Sequence, residues 1–161
     1  MKKAKKNKMK IGIPLICLRK LKGSRRSLHD QEFDTHKAIL SNRSMPMFIL
    51  NTNVSYLDYN SCELIRGEAV NIISTEIGKS PDFIVTLINQ SVNLKFGQSD
   101  DPCAYIEIKN VGQLPEEKTK ALSHKFAELL FDKVGISRDK AFIEFQESPR
   151  HLWGWNGKTF A

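Results

Sequence analysis

The chain has 161 residues, a formal net charge of +7 and 40% hydrophobic residues, the profile of a soluble protein with one main domain. Its longest apolar run, residues 11–18, is far short of the ~20 residues that a membrane span needs. Cys17, Cys62 and Cys103 are too few and too scattered for a disulfide scaffold, and no pair has the CxxC spacing of a zinc ribbon or dithiol motif.

The charge is unevenly spread. Residues 1–44 hold 13 Lys+Arg and 3 Asp+Glu, a balance of +10, whereas residues 45–161 hold 12 and 15, a balance of −3. A nucleic-acid or membrane partner therefore concerns the first quarter alone. That segment begins MKKAKKNKMK, continues IGIPLICL and RKLKGSRR, and ends polar. Lysines this dense repel one another and favour an open chain. A secretory signal would also need a small-residue cleavage site, which is missing. An organelle transit peptide, a disordered tail and translation from Met45 are the other readings. Residues 1–44 are expected to be a basic, disordered extension, untranslated or removed in the last case.

From Met45 the pattern changes. Residues 47–50 form an apolar run of strand length. In the segment 58–77, Ile65, Ala69, Ile72, Ile73 and Ile77 fall at spacings 0, 4, 7, 8 and 12, one face of a helix. Gly78 suits its C-cap. Residues 83–88 read as a β-branched strand. The next strand is 104–108. Pro115 suits a helix first turn, with Glu116 and Glu117 favourable at the N-terminal end of the dipole. In that helix Leu122, Phe126, Leu129, Leu130 and Val134 repeat the same spacings. Gly135 and a strand at 141–145 follow.

A shift of 57 residues overlays the two halves: Asn53 meets Asn110, Ile65 meets Leu122, Gly78 meets Gly135, Asp82 meets Asp139. This predicts a duplicated β-α-β unit. The fold class is α+β, a four-stranded sheet with two helices on one face. Strands within a unit are parallel by the crossover rule. The other sheet face, with Phe48, Leu50 and Ile108 expected on it, needs cover, so an oligomer is expected.

Residues 45–54, MPMFILNTNV, resemble the start of the macrophage migration inhibitory factor and D-dopachrome tautomerase family. GKSP at 78–81 resembles the family's Gly-Lys-Pro-Pro, DPCA at 101–104 its Glu-Pro-Cys-Ala, and NVG at 110–112 its Ser-Ile-Gly. GISRD at 135–139 and the ending GWNGKTFA at 154–161 match as well. The resemblance covers residues 45–161 and implies a tautomerase-like domain there, assembled as a homotrimer with the sheets facing inward.

The resemblance implies keto–enol tautomerisation of aryl α-keto acids such as phenylpyruvate, or of dopachrome-like compounds, with no cofactor and no metal. Its base is an N-terminal proline, and Pro46 holds that position once Met45 is removed. Methionine is readily trimmed before so small a residue. An internal proline nitrogen is a non-basic amide, but at the terminus it becomes a secondary amine. A nearby ammonium and an apolar pocket lower its pKa towards the operating pH. Lys79 matches the family's active-site lysine, which holds the substrate carboxylate. Val111 matches a residue whose backbone N–H meets substrate. Asn110 and Lys109 lie on the same stretch. Trp153, Trp155 and Phe160 match the apolar wall, which suits an aryl ring. By bare position, Pro46 reads rather as a strand-start proline and Lys79 as a solvated lysine after a helix end.

Some positions depart from the family. Phe142 and Glu144 stand where it often has tyrosine and asparagine, and Phe83 replaces another tyrosine. An inward Glu144 would repel an anionic substrate; pairing with Lys109 or Lys95 would remove that effect. Cys103 lacks the family's second cysteine, since Ile106 stands three places on. His124 and His151 have no partner spacing. The resemblance also implies a cytoplasmic protein, or one exported without a signal peptide. Its other functional implication is a cytokine-like interaction protein with a receptor partner and a weak or vestigial tautomerase pocket.

Overall fold

In the computed structural model the described residues are 45–161, so the expected disordered extension lies outside them. Strand β1 is Met47–Thr52, helix α1 Tyr59–Ile77 and strand β2 Val85–Asn89. The pattern then repeats as β3 Ala104–Val111, α2 Glu116–Val134 and β4 Ala141–Ser148. A two-stranded hairpin, β5 Gly154–Trp155 and β6 Lys158–Thr159, ends the chain.

The helix ends have local causes, and the duplication copies the C-terminal one. Asp58 caps α1 by accepting from the Ser61 N–H at 2.6 Å, which satisfies a donor that the helix itself leaves unpaired. Both helices end on a left-handed glycine, Gly78 with φ 72° and Gly135 with φ 74°. A short 3-10 turn follows each of them, Pro81–Phe83 and Arg138–Lys140. Pro115 is the N-cap of α2 rather than part of its first turn, because its ψ of 146° is extended.

The sheet order is β2-β1-β3-β4. β1 and β2 are parallel, as are β3 and β4. The two units meet antiparallel across β1 and β3, with Met47 opposite Lys109 and Phe48 opposite Ile108. The core lies between the sheet and the helices. Ile65, Ala69 and Ile73 of α1 meet Leu122, Phe126 and Leu130 of α2 there, the same three positions of each copy.

One expectation is reversed. Phe48, Leu50 and Ile108 do not lie on the helix-free face; they are fully buried in the core, with Phe48 stacked on Phe126 at 5.0 Å. The strand alternates with period two, so the neighbouring positions take the open face. There stand Val85 and Leu87, Tyr105, Glu107 and Lys109, and Phe142 and Glu144. Val85, Leu87 and Phe142 are 39%, 40% and 57% exposed.

Candidate active site

Three chain segments converge at one end of the sheet. The left-handed turn at Gly78 ends α1 and delivers Lys79. The last residues of β3 deliver Asn110 and Val111. The turn after β4 delivers Arg150. These four residues line one cleft of about 370 Å³ between the end of α1 and the start of α2.

Pro46 sits beside this group. Its carbonyl accepts from the Val85 N–H at 3.0 Å, which fixes it at the head of β2. One step back from the Met47–Lys109 pair, the register sets Pro46 across from Asn110. Pro46 is buried, and in the 161-residue chain its nitrogen is an amide to Met45.

Lys79 is partly buried. Burial lowers its pKa from the ordinary lysine value, and the positive charge of Arg150 lowers it further. Asn110 is 1% exposed. Its Nδ2 donates to the Gly112 carbonyl at 3.2 Å, while Oδ1 is buried without a hydrogen-bond partner among the described residues. The duplicated unit supplies a control. Asn53, the matching residue, uses both ends of its amide, accepting from the Cys103 N–H at 2.8 Å and donating to the Asp101 carbonyl at 2.9 Å. An orphaned buried acceptor is costly, and in the second copy it belongs to a cleft-lining residue.

The C-terminal hairpin is tied to the same end. The Arg150 Nε donates to the Phe160 carbonyl at 2.7 Å, and the Phe160 N–H donates to the Trp153 carbonyl at 3.1 Å. Trp155 meets Phe83 edge to face at 5.9 Å, on the loop that follows Lys79.

Phe142 and Glu144 are not brought to this cleft within one chain. Phe142 pairs in register with Tyr105, six residues before Val111, or roughly 20 Å along the strand at ~3.3 Å per residue. Phe142 instead stacks on Tyr105 at 6.0 Å and lines a separate cavity of about 270 Å³ with Phe96 and Cys103.

Neither expected lysine pairs with Glu144. Lys109 pairs with Glu107 at 3.1 Å and Lys95 with Asp100 at 2.5 Å. Glu144 accepts the Tyr105 hydroxyl instead. That bond, with smaller contributions from burial and the Glu144 and Glu107 charges, pushes the Tyr105 phenol up to about 12. A raised phenol pKa means that the folded state holds the proton more tightly. The resulting stabilisation is complete below pH 10, the ordinary value, and is lost as pH rises through about 12. Glu144→Gln brings the Tyr105 ionisation back down towards the ordinary value, read from phenolate absorbance against pH; an unshifted titration contradicts the pairing.

The residues that the sequence reading missed are Arg150, Glu76 and Lys118, all lining the cleft. Glu76 and Lys118 lie on surface-like helical turns with no motif around them. Arg150 directly precedes the aromatic tail, and that adjacency is the only signal it carries.

Among the described residues no helix is long and apolar enough to cross a membrane, and no group of His, Cys, Asp and Glu could hold a metal. A family model described as macrophage migration inhibitory factor matches residues 45–161. The chain is 31% identical over 117 residues to the macrophage migration inhibitory factor of Meriones unguiculatus, spanning 73% of this chain and 100% of that one. It is 28% identical over 116 residues to the homolog from Brugia malayi, spanning 72% and 99%. Among solved structures, the homologue from Prochlorococcus marinus superposes with a TM-score of 0.67 at 25% identity, over 71% of this chain and 99% of that one. A match across the whole of each relative, with the same duplicated architecture, leads to one conclusion: the chain belongs to the macrophage migration inhibitory factor family.

Proposed function

We propose that this protein is a keto–enol tautomerase of aryl α-keto acids such as phenylpyruvate or of dopachrome-like compounds. Pro46 is its acid/base once it stands at the N-terminus. One observation carries the reading: a partly buried cation, Lys79, lines a cleft beside the strand start that bears Pro46. As a free secondary amine, Pro46 takes a proton from the carbon next to the substrate carbonyl, and the carbonyl oxygen gains one. The C–H bond breaks, the O–H bond forms, and no external reactant is consumed. Lys79 holds the substrate carboxylate, and its charge favours the unprotonated amine. The Val111 N–H meets the ketone oxygen. The Asn110 Oδ1 accepts a donor from bound ligand. Trp153, Trp155 and Phe160 offer the aryl ring an apolar wall.

Phe142 and Glu144 enter this scheme only from a neighbouring copy, given their separations of roughly 20 Å and roughly 13 Å from Val111 along the strand in one chain. The half-exposed apolar residues on the open sheet face support the same assembly, a homotrimer with sheets turned inward. Glu144 arrives already engaged by Tyr105, which limits its repulsion of an anionic substrate. Since the relatives match almost end to end over 116–117 residues, protein beginning at Pro46 contains the complete family fold. That protein is expected to tautomerise phenylpyruvate and to run at three times the monomer mass. A trimer with no turnover removes the enzyme reading and favours the interaction-protein alternative, which family membership also supports.

A further inference from the structure

We propose that Tyr105 is a positioning residue of the candidate active site: its hydroxyl holds the Glu144 carboxylate, so that an anionic ligand meets a hydrogen-bonded pair rather than a bare charge. The proposal rests on the tautomerase reading, in which Phe142 and Glu144 reach the cleft of a neighbouring copy, but its binding test does not require turnover.

Strands β3 and β4 run parallel, with Tyr105 opposite Phe142 and Glu107 opposite Glu144. Ile106 and Ile108 fill the core and Ile143 and Phe145 pack against it, so Tyr105, Glu107, Phe142 and Glu144 share the open face. Two carboxylates directly opposite each other in a sheet repel. Each is relieved by different means. Glu107 has the Lys109 Nζ at 3.1 Å and the Asn51 Nδ2 at 3.5 Å. Glu144 makes no ion pair among the described residues. The Tyr105 hydroxyl donates to it instead.

Strand geometry builds this contact. Glu144 is the diagonal neighbour of Tyr105, two places beyond its register partner, a distance that an aromatic side chain spans. The Tyr105 ring stacks on the Phe142 ring at 6.0 Å with 28° between the planes, which limits its swing. Both rings line the cavity of about 270 Å³. Position 142 has a ring without the hydroxyl that the family often carries there, and position 144 has a carboxylate in place of an amide. The phenol stands one strand over, on Tyr105, and the new carboxylate is what it binds. The two departures are thus one exchange. A phenol donating to a carboxylate is a charge-assisted bond, and the raised Tyr105 ionisation agrees with it. Without that donor the carboxylate is an uncompensated anion beside a ligand that is itself an anion.

The test uses protein beginning at Pro46 in its parent form, as Tyr105→Phe, as Glu144→Gln and as the double variant. The probe is 3-phenylpropanoate, an aryl anion without the reacting carbonyl, titrated calorimetrically; phenylpyruvate turnover is followed in parallel. Tyr105→Phe keeps the ring and is expected to weaken probe binding about tenfold, the effect of one hydrogen bond to a charged group. The KM for phenylpyruvate rises with it and kcat is little changed. In the Glu144→Gln background the same substitution is expected to leave binding unchanged, because no bare charge is released. Glu144→Gln alone is expected to bind the probe at least as tightly as the parent, and a loss there overturns the proposal. Equal binding by parent and Tyr105→Phe overturns it too, even where phenylpyruvate is turned over normally. So does an equal loss in both backgrounds, which marks a structural role alone. A loss confined to the Glu144 background, in protein that turns nothing over, keeps the role of Tyr105 at an anion site and removes the tautomerase reading.

Discussion

In protein that begins at residue 46, Pro46→Gly lowers kcat/KM for phenylpyruvate by about 10²–10⁴-fold, the usual contribution of a positioned general base. Glycine leaves a primary amine at the same place. Such an amine is more freely hydrated and lacks the fixed ring that aims the nitrogen lone pair. The buried setting of Pro46 holds that ring, and its carbonyl bond to the Val85 N–H at 3.0 Å keeps it at the strand head whether or not residues precede it. The fall is therefore expected in kcat more than in KM, because the substitution leaves the proposed carboxylate contact at Lys79 in place. Steady-state rates with both proteins at equal concentration check this, and a variant within a factor of two of the parent removes Pro46 from the chemistry.

Phe126→Ala destabilises the fold by about 3–5 kcal/mol, the range for truncating a buried aromatic. Phe126 is 0% exposed and stacks on Phe48 at 5.0 Å, so it joins α2 to the central strand β1. Its counterpart in the first unit is Ala69, also fully buried. The core thus sets one large ring against one small residue at matched positions. Denaturant unfolding of parent and variant measures the loss; a change under 1 kcal/mol contradicts this account of the core.

Much of the fold is legible in the sequence because the duplicated pattern states it twice. The helix stripes at 65–77 and 122–134, the two cap glycines and the four strands all appear, although the second strand begins at Val85 because Phe83 belongs to a 3-10 turn. The phase of the strands does not. β1 reads Met47-Phe48-Ile49-Leu50, apolar at every position, so alternation cannot say which side meets the helices. The buried set turns out to be Phe48 and Leu50, and Ile49 is only 8% exposed even on the open face. The terminal hairpin carries the plainest local signal left unused, Asn156-Gly157, whose φ values of 52° and 73° are those of a two-residue turn with both central residues left-handed.

The site is legible in part. Lys79, Asn110 and Val111 do line one cleft, with Pro46 at its side. That proximity depends on the antiparallel joining of the two units, which no residue pattern specifies. The same topology sends Phe142 and Glu144 to the far half of the sheet. Arg150 and Glu76 were invisible because their roles come from the meeting of a helix end and a C-terminal turn distant in sequence. The net charge of +7 offered no guide either. The relevant positive charge is the small group in the cleft of a domain whose own balance is −3.

The proposed chemistry depends most on the state of one nitrogen. The direct measurement compares phenylpyruvate tautomerisation by two proteins with N-termini verified by mass, one beginning at Met1 and one at Pro46. The nitrogen of Pro46 is an amide in the first and an amine in the second. Turnover by the shorter protein alone is the predicted result. Equal turnover by both would contradict the assignment of Pro46 as the base.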